Sequence, residues 1–380
     1  MTLLAAFALT LSALLVAPDA SPADGVALDR LIEAHYAYLD ELPGKTLPDS
    51  PALADRRAAI DSEGDLLRYI EARLHSLADH HAAANSNFAD SWALVPTYSD
   101  LWIDADLRVG AVREGSPAAR VGILPGDRLV AVGETDANEA IAAFWDDLGL
   151  VATPERAAYA ARLLAAGRRD RARYLSFARA GSVTRYRLPS LYDAQVERPL
   201  LSVEDTANGT VIRIHNSLGD VNLIPAFDAA VAASNPSKDL VIDLRDTPSG
   251  GNTTVARAMM GWFVDRPTPY QMHDRPDEAR AFEIERRWIE LVMPRPGKHD
   301  PRRPTILVGR WTGSMGEGLA IGFSAIGMPV VGAPMAGLRG AIESYPVGDT
   351  SIAVSFPTER LFSVDGKPRE DFEPDVLHGE

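Results

Sequence analysis

The sequence contains no cysteine. Disulfides, thiolate zinc sites, thiol nucleophiles and a cysteine-linked lipid are thereby excluded. Lysine is almost as scarce, with only Lys45, Lys238, Lys298 and Lys367 in 380 residues. Positive charge is short overall: 38 basic residues face 53 acidic ones, for a net charge of −15. A partner made of phosphates needs a basic face, so no nucleic acid is expected as partner. Beyond the first twenty residues there is no long apolar run, so no stable membrane span is expected in the mature chain.

What is present supports a folded protein, because 46% hydrophobic residues are enough to bury a core. Leu3 to Ala17 is apolar except for Thr10 and Ser12. It is short for a spanning helix and reads as part of a signal peptide over residues 1–23, cleaved near Ser21-Pro22-Ala23. No Lys or Arg precedes it, which leaves a short anchor as the alternative. A periplasmic or secreted location follows as the expectation.

Residues 24–95 read as a helical segment. Leu28, Leu31, Ile32 and His35 form one stripe, and Leu66, Leu67, Ile70, Leu74 and Leu77 another. Over 96–190 the pattern changes to short β runs, including Arg108–Val112 and Arg128–Val132. Between these runs, Ser116 suits an N-cap, Pro117 a first helical position, and Gly122 and Gly126 tight turns. The stretch Glu114 to Asp127 resembles the PDZ signature. From 191 to 380, strand-like runs such as Leu240–Leu244 and Thr305–Val308 alternate with helical ones, which predicts an α/β layer architecture.

Two segments carry chemistry. Val241–Leu244 runs into Pro248-Ser249-Gly250-Gly251, and Ile306–Val308 runs into Thr312-Gly313-Ser314-Met315-Gly316-Glu317. A serine on a tight strand-to-helix turn exposes its hydroxyl, and the N–H groups that follow can face an oxyanion. Two such turns at the same end of neighbouring parallel strands would set Ser314 beside the Gly-Gly loop.

These segments, with Val330-Val331-Gly332-Ala333-Pro334 and the PDZ-like stretch before them, resemble the tail-specific (C-terminal processing) protease family over about residues 60–380. The resemblance implies a ClpP/crotonase-like α/β protease core, α+β overall, with an inserted PDZ-like β domain and a helical N-terminal segment. It implies Ser314 as nucleophile, an oxyanion hole from Gly250 or Gly251 with Met315, and no metal or organic cofactor. The commoner branch of the family activates its serine with a lysine in a Gly-Lys-Gly turn. Here that place reads Gly337-Leu338-Arg339-Gly340, and arginine cannot accept the serine proton. The sequence is closer to the tricorn-like Ser–His branch, whose histidine precedes the PDZ domain in an Asp-x-His segment. Asp79-His80-His81 matches it and assigns the base to His81, with His80 adjacent. By the same likeness Glu370 joins the catalytic network, with Glu373 as its rival, and Ser99, Asp100, Leu101 and Trp102 bind the substrate's end.

The expected function is a serine endopeptidase acting on peptide bonds of unfolded or tail-presented proteins. The rival reading is an inactive PDZ-bearing binding protein on the same fold. His215, His273, His299 and His378 are expected at the surface, and Arg275, Arg280, Arg286 and Arg287 on a solvated, mostly helical face.

Overall fold

The structure, a computed structural model, describes residues 20–377. The greater part of the expected signal peptide, and His378, lie outside the described residues. Among the described residues no helix is long and apolar enough to cross a membrane.

The N-terminal segment holds the helices Pro22–His35, Pro51–Ala58 and Glu63–Ser76. Each begins with a serine at the N-cap, and the Ser50 and Ser62 hydroxyls accept the N–H of Leu53 and Asp65. The proposed cleavage segment Ser21–Ala23 thus enters the first helix. Leu28, Ile32, Leu66 and Ile70 are fully buried against Val354 and Phe356. At about 2 kcal/mol for each large apolar side chain, this contact fixes the helices on the protein body. The chain leaves Glu63–Ser76 through Ala78, at φ 52°, and joins a sheet again at Ala83–Ala84, opposite Ser355 and Val354. The Asp79–His81 segment is therefore held at both ends.

Residues 101–188 form a smaller β unit. Leu101–Ile103 pairs with Val109–Val112, and a four-stranded antiparallel sheet runs in the order Thr135–Asp136, Arg128–Val132, Arg173–Arg179, Ser182–Leu188. Ser116 caps the short helix Pro117–Arg120, its hydroxyl accepting the Ala119 N–H at 3.2 Å. Two longer helices, Ala137–Asp147 and Pro154–Ala166, also belong to this unit. The hydrophobic core of this unit extends to Trp311, Ala336 and Leu338, which belong to loops of the main body.

The main body is a six-stranded sheet in the order Val376–Leu377, Val330–Gly332, Thr305–Val308, Asp239–Asp246, Gly209–His215, Leu201–Asp205. All neighbours are parallel except the last pair. The helices Thr253–Met260 and Met315–Ala325 follow two adjacent parallel strands and pack on them through Met259, Met260, Leu319 and Phe323. An antiparallel sheet of Ala83–Ala84, Ala353–Phe362, Thr268–Asp274 and Arg287–Val292, with Ala341–Pro346 beside Ala353–Phe362, packs on the helix Met315–Ala325, where Tyr270 and Gln271 lie against Gly322 and Gly318.

Two expectations are corrected here. His273 is buried, with only 6% exposed, between Glu290 and Glu359. Burial pulls its pKa down, but the two carboxylates outweigh burial and hold it above the usual histidine value. Arg275 is likewise drawn into ion pairs with Asp277 and Glu343, and Arg287 lies in a strand, so these arginines do not share a helical face.

Candidate active site

The adjacent parallel strands Asp239–Asp246 and Thr305–Val308 end in two turns that lie against each other. Thr247 bridges Thr312, the Gly313 N–H donates to Thr247 O at 2.9 Å, and the Thr312 hydroxyl donates to Leu244 O at 2.9 Å. The approach is so close that a Cβ on Gly313 would stand 2.6 Å from Pro248 O. A Cβ on Gly316 would stand 2.6 Å from the Thr247 hydroxyl. This is why the sequence has glycine at both positions.

Ser314 caps the helix Met315–Ala325 with φ 52° and ψ −115°. A left-handed non-glycine residue costs about 1–3 kcal/mol. Here the turn is fastened by Glu317, whose Oε2 accepts the Ser314 N–H at 2.8 Å. Glu317 is fully buried and also accepts the N–H groups of Gly337 and Leu338. Burial pushes its carboxyl up to about 7, against the pull of the Arg369 charge and these N–H donors.

His81 approaches Ser314 from the N-terminal segment. Its Nε2 lies 2.9 Å from Ser314 Oγ, and its Nδ1 lies 2.6 Å from the main-chain oxygen of Arg339. A carbonyl oxygen only accepts, so Nδ1 carries the hydrogen. In the neutral ring Nε2 is then the acceptor, and the Ser314 hydroxyl donates to it. Asp79 sets the backbone of this segment, accepting the His81 N–H and the Tyr36 hydroxyl, each at 2.9 Å. Burial lowers the His81 pKa to about 4; the Arg369 charge pushes the same way and the Arg339 carbonyl opposes.

Arg369 holds the partner loop. Buried at 2% exposure, it donates to Leu338 O at 2.8 Å and to Gly340 O at 2.7 Å, the carbonyls on either side of Arg339. The Gly337–Gly340 loop is thus held by its N–H groups on Glu317 and by its carbonyls on Arg369. The one carbonyl between those two faces His81. Arg339 stands where a catalytic lysine was sought and contributes its main chain; its guanidinium pairs with Glu41 at 3.1 Å.

Gly250 lies against the nucleophile, since a Cβ there would be 3.5 Å from Ser314 Oγ. Gly251 is wedged against Leu218. Among the described residues the N–H groups of Gly250, Gly251 and Met315 donate to no protein acceptor. That leaves them available to an oxyanion formed at Ser314.

The remaining expected residues are elsewhere. His80 stacks on Tyr159, with ring centroids 4.3 Å apart, and has no hydrogen bond to Ser314. Glu370 lies beside Tyr38 and Asp79 and, among the described residues, makes no hydrogen bond to His81 or Ser314. Glu373 is exposed. Ser99, Asp100, Leu101 and Trp102 are all buried to 2% or less. Asp100 is taken by Arg173 at 2.7 and 2.9 Å, and Ser99 O accepts the Trp311 indole N–H. Their side chains build the interior of the β unit. Ser99 and Asp100 do edge a cleft of about 290 Å³ at the boundary with the main body. Arg369 and the Arg339 carbonyl were not legible as site members, although the Gly337–Gly340 turn was the signal that pointed there. Among the described residues no group of His, Asp and Glu is arranged to hold a metal.

Residues 212–378 match Peptidase family S41. No curated protein matches the chain in sequence. Among solved structures it resembles the photosystem II D1 C-terminal processing protease, at 15% identity and a TM-score of 0.58, covering 94% of this chain and 92% of that one. Mature CPAF resembles it at 13% identity and a TM-score of 0.56, covering 94% and 92%. A lipoprotein from Streptococcus agalactiae does so at 9% identity and a TM-score of 0.51, covering 97% and 95%. At these identities the likeness is one of fold.

Proposed function

We propose that the chain, whose residues 212–378 match Peptidase family S41, is a serine-type peptidase that works through a Ser314–His81 pair. Ser314 Oγ attacks the peptide carbonyl while His81 Nε2 takes its proton. The N–H groups of Met315 and of the Gly250-Gly251 loop stabilise the oxyanion. His81 then passes the proton to the leaving amine, and water, activated by the same nitrogen, releases the acyl group. The Arg339 carbonyl keeps the ring in the required tautomer, a duty that a carboxylate performs in a Ser–His–Asp triad. The observation that carries this reading is the 2.9 Å contact between His81 Nε2 and Ser314 Oγ.

We take the substrates to be unfolded or tail-presented proteins outside the cytoplasm, a reading supported by the PDZ-like signature and the N-terminal apolar run. A binding protein without catalysis is the second reading. It is favoured by the lack of the lysine base of the commoner branch, in whose place this sequence has Arg339. Hydrolysis of casein by wild type, Ser314→Ala and His81→Ala separates the two. Cleavage by wild type alone, with both variants folded, supports the peptidase mechanism. A wild type inert on casein and on other unfolded proteins sinks it.

A further inference from the structure

Beside the catalytic loop, at the carboxyl ends of the parallel strands, lies a pocket of about 180 Å³ lined by Arg113, Arg198, Arg213 and Arg245. Val112 and Trp311 give it an apolar wall. We propose that this pocket is a subsite for a carboxylate of the substrate peptide. The proposal rests on the peptidase reading and adds a substrate class to it.

Four arginines on one pocket are notable in a chain of net charge −15. Arg113 and Arg198 both bind the single carboxylate of Asp246, and Arg213 and Arg245 both bind that of Asp243. The one other acid on the wall is Glu114, which reaches Arg213 at 3.1 Å while its side chain is 83% exposed. Glu114 shows what the pocket accepts: a carboxylate arriving from the solvent side. A substrate carboxylate can displace it without uncovering a buried charge. The planar guanidinium fork suits a carboxylate better than any neutral group.

Position ties the pocket to the reaction. Asp246 and Gly250 are four residues apart, at most about 14 Å along an extended chain. A Cβ on Gly250 would stand 3.5 Å from Ser314 Oγ, so an extended substrate rising about 3.3 Å per residue would reach the pocket within about four residues of the scissile bond.

The test uses a set of peptides that differ only by Glu or Gln at each position within that range. The proposal predicts, at one position, a kcat/KM about tenfold higher for Glu than for Gln. The ratio should collapse in Arg198→Gln, which leaves Arg113 and His215 on Asp246. It should rise in Glu114→Gln, which removes the competing carboxylate and touches no buried group. A free C-terminal carboxylate against its amide, placed at the same distance, shows whether a chain end serves as well as a side chain. Equal rates for Glu and Gln at every position in wild type overturn the subsite while leaving the peptidase intact. So does a preference unmoved by both variants. Failure to cleave any peptide or casein removes the peptidase reading and the subsite together.

Discussion

The imidazole of His81 donates through Nδ1 to the main-chain oxygen of Arg339, 2.6 Å away. A peptide carbonyl therefore does the orienting that a carboxylate does in a Ser–His–Asp triad. It fixes the tautomer without adding negative charge beside the ring. Such a base stays weakly basic, and its orientation depends on whatever holds the loop.

Arg369 is that support, so its removal should act on turnover. In Arg369→Gln, kcat should fall by about ten- to a hundredfold with KM little changed, since nothing on the substrate is touched. Arg369→Lys, which can still donate to the carbonyls of Leu338 and Gly340, should recover part of the loss. Steady-state kinetics read both. A fall confined to stability, with kcat intact in the folded fraction, would show that Arg369 is structural only.

The pH profile follows from burial. His81 is a base only when neutral, and its pKa is lowered to about 4 by burial and by the Arg369 charge. Activity should therefore persist below the usual histidine range, with the acid limb of kcat/KM near pH 4. The groups that act on His81 are Arg369 and the Arg339 carbonyl from the main body and Asp79 from its own segment. Removing the Arg369 charge raises the His81 pKa, so the limb should move to higher pH in Arg369→Gln. A limb near 6.5 in wild type, unmoved in the variant, would contradict this.

Glu317 and the glycines give separable effects. Glu317→Gln keeps one acceptor oxygen but turns an amide toward N–H groups that need another. It should cost about 1–3 kcal/mol in thermal or denaturant unfolding.

Gly250→Ala adds a methyl 3.5 Å from Ser314 Oγ in otherwise open space, and should lower kcat/KM with the fold intact. Gly251→Ala drives its methyl to about 2.5 Å from Leu218 and should disturb the loop itself. Melting curves beside kinetics distinguish the two outcomes.

Much of this was legible in the residues. Val241–Leu244 and Thr305–Val308 read as buried parallel strands because they are apolar and end at glycine turns, and Ser116-Pro117 reads as a helix start. The approach of His81 to Ser314 could be anticipated through the resemblance of Asp79-His80-His81 to the Ser–His branch, with arginine at 339 removing the lysine alternative. Arg369 could not, because it acts on the main-chain carbonyls of Leu338 and Gly340, which carry no side-chain identity. Distance in sequence also hides partners: Arg173, over seventy residues later, neutralises Asp100 inside the β unit. His273 read as a surface histidine because its partners Glu290 and Glu359 are far away in the chain.

The central claim is that His81 activates Ser314. Its most direct test is labelling by a serine-reactive fluorophosphonate, mapped by mass spectrometry, in wild type, His80→Ala and His81→Ala. The account predicts label on Ser314 in wild type and in His80→Ala, and little or none in folded His81→Ala. Label on Ser314 undiminished in His81→Ala would contradict it.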